Sequence, residues 1–309
     1  MSNVTVNRIH SFTGHQDCIY TVQPADQPNL FFSASGDGMV VLWDLQKQND
    51  GDLIAKLSNS VYALHYHQPT ELLIVGNNYN GLHLLDWRNK KEIGSLNFTN
   101  AAIFDIQSVG SRLFVGDKEG VLSEIDVDNI SIKRKISVSG ESVRTIAIHP
   151  DRGEMAVGTS DNFIRIYDLG SLGLKKEWLA HQNSVFTLRY SVDGSFLFSG
   201  SRDARLRVWD VQANYTMAAE VVAHMQAINH IEFSPDSKHF VTCSLDRSIK
   251  VWDFDELRLL KVIDKARHNG HRNSVNKLLW TNHLAQLVSA GDDKIISVWD
   301  IHVNQGLSS

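Results

Sequence analysis

Between residues 181 and 210, HQNSVFTLRYSVDGSFLFSGSRDARLRVWD, apolar and polar positions mark three short strands and two turns. Residues 184–190 alternate apolar and polar, SVDGS breaks the run, 195–199 are mostly apolar, SRDA breaks it again, and 205–209 alternate once more. The polar residues left over are placed to form a chain: His181 ahead of the first strand, Ser199 on the second, Asp203 in the following turn and Trp209 ending the third. Indole N–H to hydroxyl, hydroxyl to imidazole and imidazole N–H to carboxylate is a series in which each group donates to the next. A lone three-stranded meander cannot bury such a chain, so it needs neighbours like itself.

The neighbours are present. The Asp closing each third strand recurs as Asp44, Asp86, Asp126, Asp168, Asp210, Asp253 and Asp300, at gaps of 42, 40, 42, 42, 43 and 47 residues. Seven copies at a period of about 40–45 residues are the signature of a β-propeller. The His, Ser/Thr, Asp and Trp set is complete four times: His15/Ser33/Asp37/Trp43, His181/Ser199/Asp203/Trp209, His224/Thr242/Asp246/Trp252 and His271/Ser289/Asp293/Trp299. In each, the hydroxyl residue stands four before the Asp and the Trp six after it. On these residues the chain resembles the WD-repeat propeller family over essentially its whole length.

The expected fold is therefore all-β: a seven-bladed propeller of four-stranded antiparallel blades, forming one domain over residues 1–309. Fourth strands are expected at 53–57, 92–96, 130–136, 175–179, 217–222 and 258–263. The seventh repeat has none of its own after Asp300. Residues 6–12 alternate like a fourth strand and run into Gly14 and His15, so the N-terminal strand should complete blade seven, which is shared between 4–13 and 271–303. Closure of this kind, also implied by the resemblance, leaves no broken edge and suggests that nothing large is missing from either end. Blades two to four are degenerate: Leu57, Thr99 and Ser139 stand where the His would be, Tyr79 and Glu119 replace the turn Asp of blades two and three, and Tyr167 replaces the Trp of blade four. The long gap at 264–270 reads as a surface loop.

Composition narrows the function classes. A hydrophobic content of 42% with 21% charged residues fits a soluble globular chain. A net charge of −5, a pI near 6.3 and no long basic run argue against nucleic acid or an anionic membrane as the main partner. Cys18 and Cys243 lie in the first and sixth repeats, so they are expected as free thiols of a reducing compartment. The start, MSNVTVNRIHSF, lacks a signal-peptide core, and no run of 18 apolar residues occurs. A cytoplasmic protein, monomeric as a fold and acting within complexes, is expected.

His, Ser and Asp together invite a catalytic triad. The same trio recurring four times with a Trp at fixed offset is instead how a structural element behaves. His65 with His67, and His268 with His271, lack a third metal ligand at a recognisable spacing, and there is no CxxC. No GxGxxG or Walker-type loop appears, so neither metal nor cofactor is implied.

The first strands align as CIYTV, SVYAL, AIFDI, SVRTI, SVFTL, AINHI and SVNKL. The second residue is always Ile or Val and an apolar residue returns three later, which breaks strict alternation and predicts a bulge. The first residue of the odd pair is Tyr20, Tyr62, Phe104, Arg144, Phe186, Asn229 and Asn276. The resemblance implies that this column rings the narrow top mouth of the central channel and contacts peptide partners. The residue before the turn Asp, where that Asp is present, should share the face: Gly36, Ser160, Arg202, Leu245 and Asp292. Aromatics with Arg are what binding hot spots are made of. A non-enzymatic interaction scaffold taking a peptide or protein segment on the top face is the expectation, against the plainer reading that the column only packs against its neighbours. Two alternatives stand beside it. Arg144, Arg202 and Arg267 with Lys265 could read an acidic or phosphorylated motif. An enzyme at the channel mouth would have to use Asp105 and His230, the second bulge residues of blades three and six.

Overall fold

The computed structural model describes residues 3–47 and 51–304. Seven four-stranded antiparallel sheets follow one another along these described residues. In blade five, for example, Val185–Tyr190, Phe196–Ser201, Arg205–Asp210 and Thr216–Val222 pair in sequence order. The other fourth strands are Asp52–Lys56, Lys91–Leu96, Ser131–Ser137, Leu174–Leu179 and Leu259–Ile263, within a residue or so of the sequence expectation.

Blade seven is composite. Its first two strands, Val275–Trp280 and Leu287–Gly291, lead to Ile296–Asn304, and the chain's opening strand Asn3–Phe12 pairs antiparallel with that third strand. The closing strand starts three residues earlier than its alternation suggested, because the third strand runs on past Asp300 with no turn to end it. Pairs such as Val4 with Val303 and Val6 with Ile301 extend the ladder.

The core is divided among the blade junctions. Among the described residues there are seven apolar clusters, one at each junction, including that between blades seven and one, where Phe12, Val288 and Val298 meet Phe31 and Trp43. The alternation along each second strand supplies both faces at once: in blade one Phe31 points toward blade seven and Phe32 toward blade two. Close approach of blades requires a small residue near the end of the second strand. A Cβ on Gly116 would lie 2.4 Å from Val143 Cγ1, and one on Gly158 2.8 Å from Val185 Cγ1. These partners are the constant Ile/Val of the following first strands.

The segment 264–270 is more than a loop. Lys265–His268 forms a single helical turn capped by Asp264, whose carboxylate accepts from Arg267 N–H.

Candidate functional site

The four complete tetrads form the hydrogen-bond series their residue types allow. In blade five Trp209 Nε1–H donates to Ser199 Oγ at 2.9 Å, His181 Nε2 lies 2.8 Å from the same oxygen, and His181 Nδ1 lies 3.1 Å from Asp203 Oδ2. Blade one repeats this around Ser33. Its hydroxyl accepts from Trp43 Nε1–H at 2.7 Å and lies 2.7 Å from His15 Nε2, while His15 Nδ1 is 3.1 Å from Asp37 Oδ2. In blade six Thr242 stands in for serine. Its Oγ1 accepts from Trp252 Nε1–H at 2.9 Å and lies 2.8 Å from His224 Nε2, with His224 Nδ1 2.9 Å from Asp246 Oδ2. In blade seven Ser289 Oγ accepts from Trp299 Nε1–H at 2.8 Å and lies 2.8 Å from His271 Nε2, with His271 Nδ1 2.9 Å from Asp293 Oδ1. Ser33, Ser199, Thr242 and Ser289 are fully buried, and Trp43, Trp252 and Trp299 also pack their rings into the junction clusters.

Burial pushes His15, His181 and His224 below the ordinary imidazole value, against the pull of their Asp partners. Burial also works to raise Asp37, Asp203, Asp246 and Asp293. Hydrogen bonds from the histidine and from backbone N–H groups outweigh it and hold all four below the usual carboxylate range. The hydroxyl of each trio is shared between indole and imidazole, so these sets tie strand ends together and offer no free nucleophile.

Two degenerate blades use substitutes outside the tetrad positions. In blade three Asp117, two residues ahead of Glu119, accepts the N–H groups of Glu119 and Val121 and the Thr99 hydroxyl. In blade four the Arg165 guanidinium takes the place of imidazole. It donates to both oxygens of Asp161, at 2.7 and 3.2 Å, and to Thr159 Oγ1 at 2.8 Å. Burial opposes ionisation of Asp161, but Arg165 holds its carboxyl down at about 2.

Every first strand carries the bulge that the odd spacing predicted. Register skips one residue in all seven pairs, and the skipped residue is Tyr20, Tyr62, Phe104, Arg144, Phe186, Asn229 or Asn276. The bulge frees these side chains from the ladder and turns them into the channel, where all seven, with Arg202, line one cavity of about 1120 Å³. The cavity continues past Thr145 and Thr187 to the turns at the far end of blades four to six, around Asp151, Val192 and Pro235.

Five of the seven form a continuous ladder. The Tyr20 and Tyr62 rings meet edge to face at 4.5 Å between centroids, and Tyr62 stacks on Phe104 at 5.7 Å. The Arg144 guanidinium lies over Phe104 at 4.0 Å and over Phe186 at 4.7 Å. The two asparagines do different work. Asn229 Nδ2 donates to Ser274 Oγ and Val275 O, and Asn276 Nδ2 donates to Ile19 O and Asp292 Oδ1, so both amides stitch one blade to the next.

Charge at the mouth is uneven. Burial lowers Arg144 to about 10, Tyr62 acting against this and Arg202 adding to it, and the guanidinium has no hydrogen bond or ion pair among the described residues. Lys118 also lines the cavity. It stands in the column that contributes Arg202, Leu245 and Asp292, and carrying that column through blades two and three, where no turn Asp flags it, would have found both Lys118 and Asn78. Arg267 and Lys265 do not join this sector: neither lines the cavity, and Arg267 is paired with Asp264 at 2.6 Å.

The carboxylate and imidazole considered for catalysis are engaged in holding blades together. Asp105 accepts Ile146 N–H of the next blade at 2.7 Å, and its other oxygen takes Ile106 N–H and Gln107. His230 Nδ1 faces Leu278 N–H across the next junction at 3.4 Å, and burial keeps the ring well below its ordinary pKa. His67 spends both ring nitrogens, on Thr70 and Gly110 O, while His65 bonds Ser108. Among the described residues no group of three or more His, Cys, Asp or Glu could hold a metal ion, and no helix is long and apolar enough to cross a membrane.

Comparison with known proteins agrees with this geometry. The "WD domain, G-beta repeat" family model matches residues 6–44, 132–168, 173–210, 216–253 and 264–300, which is more than half of the chain. The chain is 23% identical over 214 residues to the WD repeat-containing protein 91 homolog of Dictyostelium discoideum, a match covering 65% of this chain and 27% of that protein. It is 24% identical over 245 residues to WD repeat-containing protein 1 of Bos taurus, covering 72% of this chain and 39% of the relative. The chain thus spans well under half the length of these relatives. In three dimensions it is similar to the WD40 β-propeller domain of Doa1, with a TM-score of 0.83, 16% identity and coverage of 96% and 97% of the two chains. With the repeat model over most of its blades and tetrads hydrogen-bonded in four of them, the chain belongs to the WD-repeat family of β-propellers.

Proposed function

We propose that this chain is a non-enzymatic interaction module, a single propeller domain that takes a peptide or protein segment at the channel mouth through Tyr20, Tyr62, Phe104, Phe186 and Arg144. It works in the cytoplasm within larger protein assemblies. The observation that carries this reading is the unbroken ladder of rings and guanidinium along one side of an open cavity. Aromatic and Arg side chains give large contact area at low entropic cost, and neighbours that fix one another's rotamers lower that cost before any partner arrives. The opposite side of the ring, held by Asn229 and Asn276, is a rigid polar rim.

The test compares wild type with the Tyr62→Ala, Phe104→Ala, Phe186→Ala triple variant as bait in extract of the native cell. Partners captured by wild type should be lost with the variant, while circular dichroism shows its β-structure intact. Identical partners on both baits would move the binding surface to the rim or the far face and overturn the reading.

A further inference from the structure

The mouth holds more positive charge than it neutralises. The chain as a whole carries −5, yet Lys118, Arg144 and Arg202 line this cavity with no ion pair among the described residues. Among the lining carboxylates Glu232 is paired with Arg189 at 2.5 Å, while Asp105 and Asp292 keep their charge on neutral donors and are outnumbered by Lys118, Arg144, Arg202 and Lys277, the last equally unpaired among the described residues. Asp151 is exposed at the far end.

Arg144 is held by two rings and its donors are unspent. Its guanidinium carbon lies over Phe104 at 4.0 Å and over Phe186 at 4.7 Å, and its N–H groups have no protein acceptor among the described residues. A half-buried cation without a counter-ion is costly unless something completes it, and a planar fork of N–H groups is matched by a planar carboxylate. Arg202, exposed beside it, and exposed Lys118, whose backbone carbonyl takes the Ser142 hydroxyl two residues before Arg144, would draw the same group in.

Resting on the reading of the mouth as a peptide site, we infer that Arg144 is the anchor for a carboxylate side chain, so that the segment taken at the mouth is an acidic peptide. The rings on either side receive apolar side chains flanking that carboxylate, and exposed Leu245 and Tyr79 extend the apolar contact outward.

The experiment selects peptides from a random-sequence library on the full chain, then measures a labelled selected peptide by fluorescence anisotropy. Selected sequences should be enriched in Asp and Glu. The Asn/Gln counterpart of the peptide should bind wild type at least about 10-fold more weakly. Arg144→Gln and, separately, Arg202→Glu should weaken the acidic peptide by a similar factor, and added salt should weaken its binding to wild type. Arg202 is exposed, so its variant keeps the test valid if Arg144→Gln unfolds. Selection without acidic enrichment, or binding of the acidic peptide by both variants as tightly as by wild type, overturns the inference. If the selected peptides are not acidic but are lost with the Tyr62/Phe104/Phe186 variant, only the carboxylate anchor fails. If they survive that variant too, the mouth reading falls with it.

Discussion

A buried histidine that stays neutral ties stability to pH in one direction. His15, His181 and His224 are pushed below 6.5 in the folded ring mainly by burial, whereas in the unfolded chain they take up protons near that value. Below pH 6.5 the unfolded state therefore binds more protons than the folded one, and stability falls as pH falls. The tetrad carboxyls act in the same sense lower down: held below 3.8 when folded, they lose their contribution as pH drops through the acid range. The unfolding midpoint should decrease steadily from pH 7.5 to 5.5 and steeply below 4. Differential scanning calorimetry in matched buffers checks this, and a midpoint that rises on acidification would contradict the assignment of neutral imidazoles. At this scale the sequence was legible where a pattern repeats and opaque where it does not. The four tetrads could be read from fixed spacing, down to Thr242 replacing serine without changing the series. Asp117 and Arg165 could not, because each repairs its blade from a position that is ordinarily something else, and only the backbone path shows that a carboxylate two residues early reaches Val121 N–H, the counterpart of the Arg205 N–H that Asp203 takes in blade five. Whether the ring of Tyr62 would face Phe104 or solvent depends on rotamers that spacing leaves open.

Elements in this ring are fitted by bulges and by small residues. The bulge was readable from two residues standing between apolar positions that should differ by an even step, and its consequence is geometric: one side chain per blade leaves the ladder and enters the channel. Close packing makes the complementary demand. Gly116 leaves no space for a side chain against Val143, so Gly116→Leu should push blades three and four apart, lowering stability by about 1–3 kcal/mol in urea denaturation. Gly140, whose Cβ would meet nothing within 4 Å, serves as the control, and Gly140→Ala should leave the midpoint unchanged or slightly higher. Equal effects at the two sites would show that junction packing is not limiting there. The turn of helix at Lys265–His268, which the pattern missed, is too short for any periodicity to register.

At the scale of the whole molecule, stability is spread over seven similar junctions, and the ring depends on a strand from the other end of the chain. Val4, Val6 and Phe12 are 4%, 8% and 3% exposed, so Asn3–Phe12 contributes core as well as a ladder. Deleting residues 3–12 should bare the edge of Ile296–Asn304, lower the unfolding midpoint and cause concentration-dependent self-association in analytical ultracentrifugation. A deletion variant that stays monomeric with an unchanged midpoint would mean that closure contributes little. The shared blade also sets a schedule. Asn3 pairs with Asn304, so the opening strand of the ring must wait for the last one to be made before it finds its place. Middle blades such as two to five can assemble as they emerge, but the nascent ring stays open, with an apolar strand unpaired at its leading end, until synthesis of the propeller is all but finished. Translation interrupted late in the last blade would therefore release a species that is mostly folded and still adhesive, and protein quality control would meet this chain as an unclosed circle.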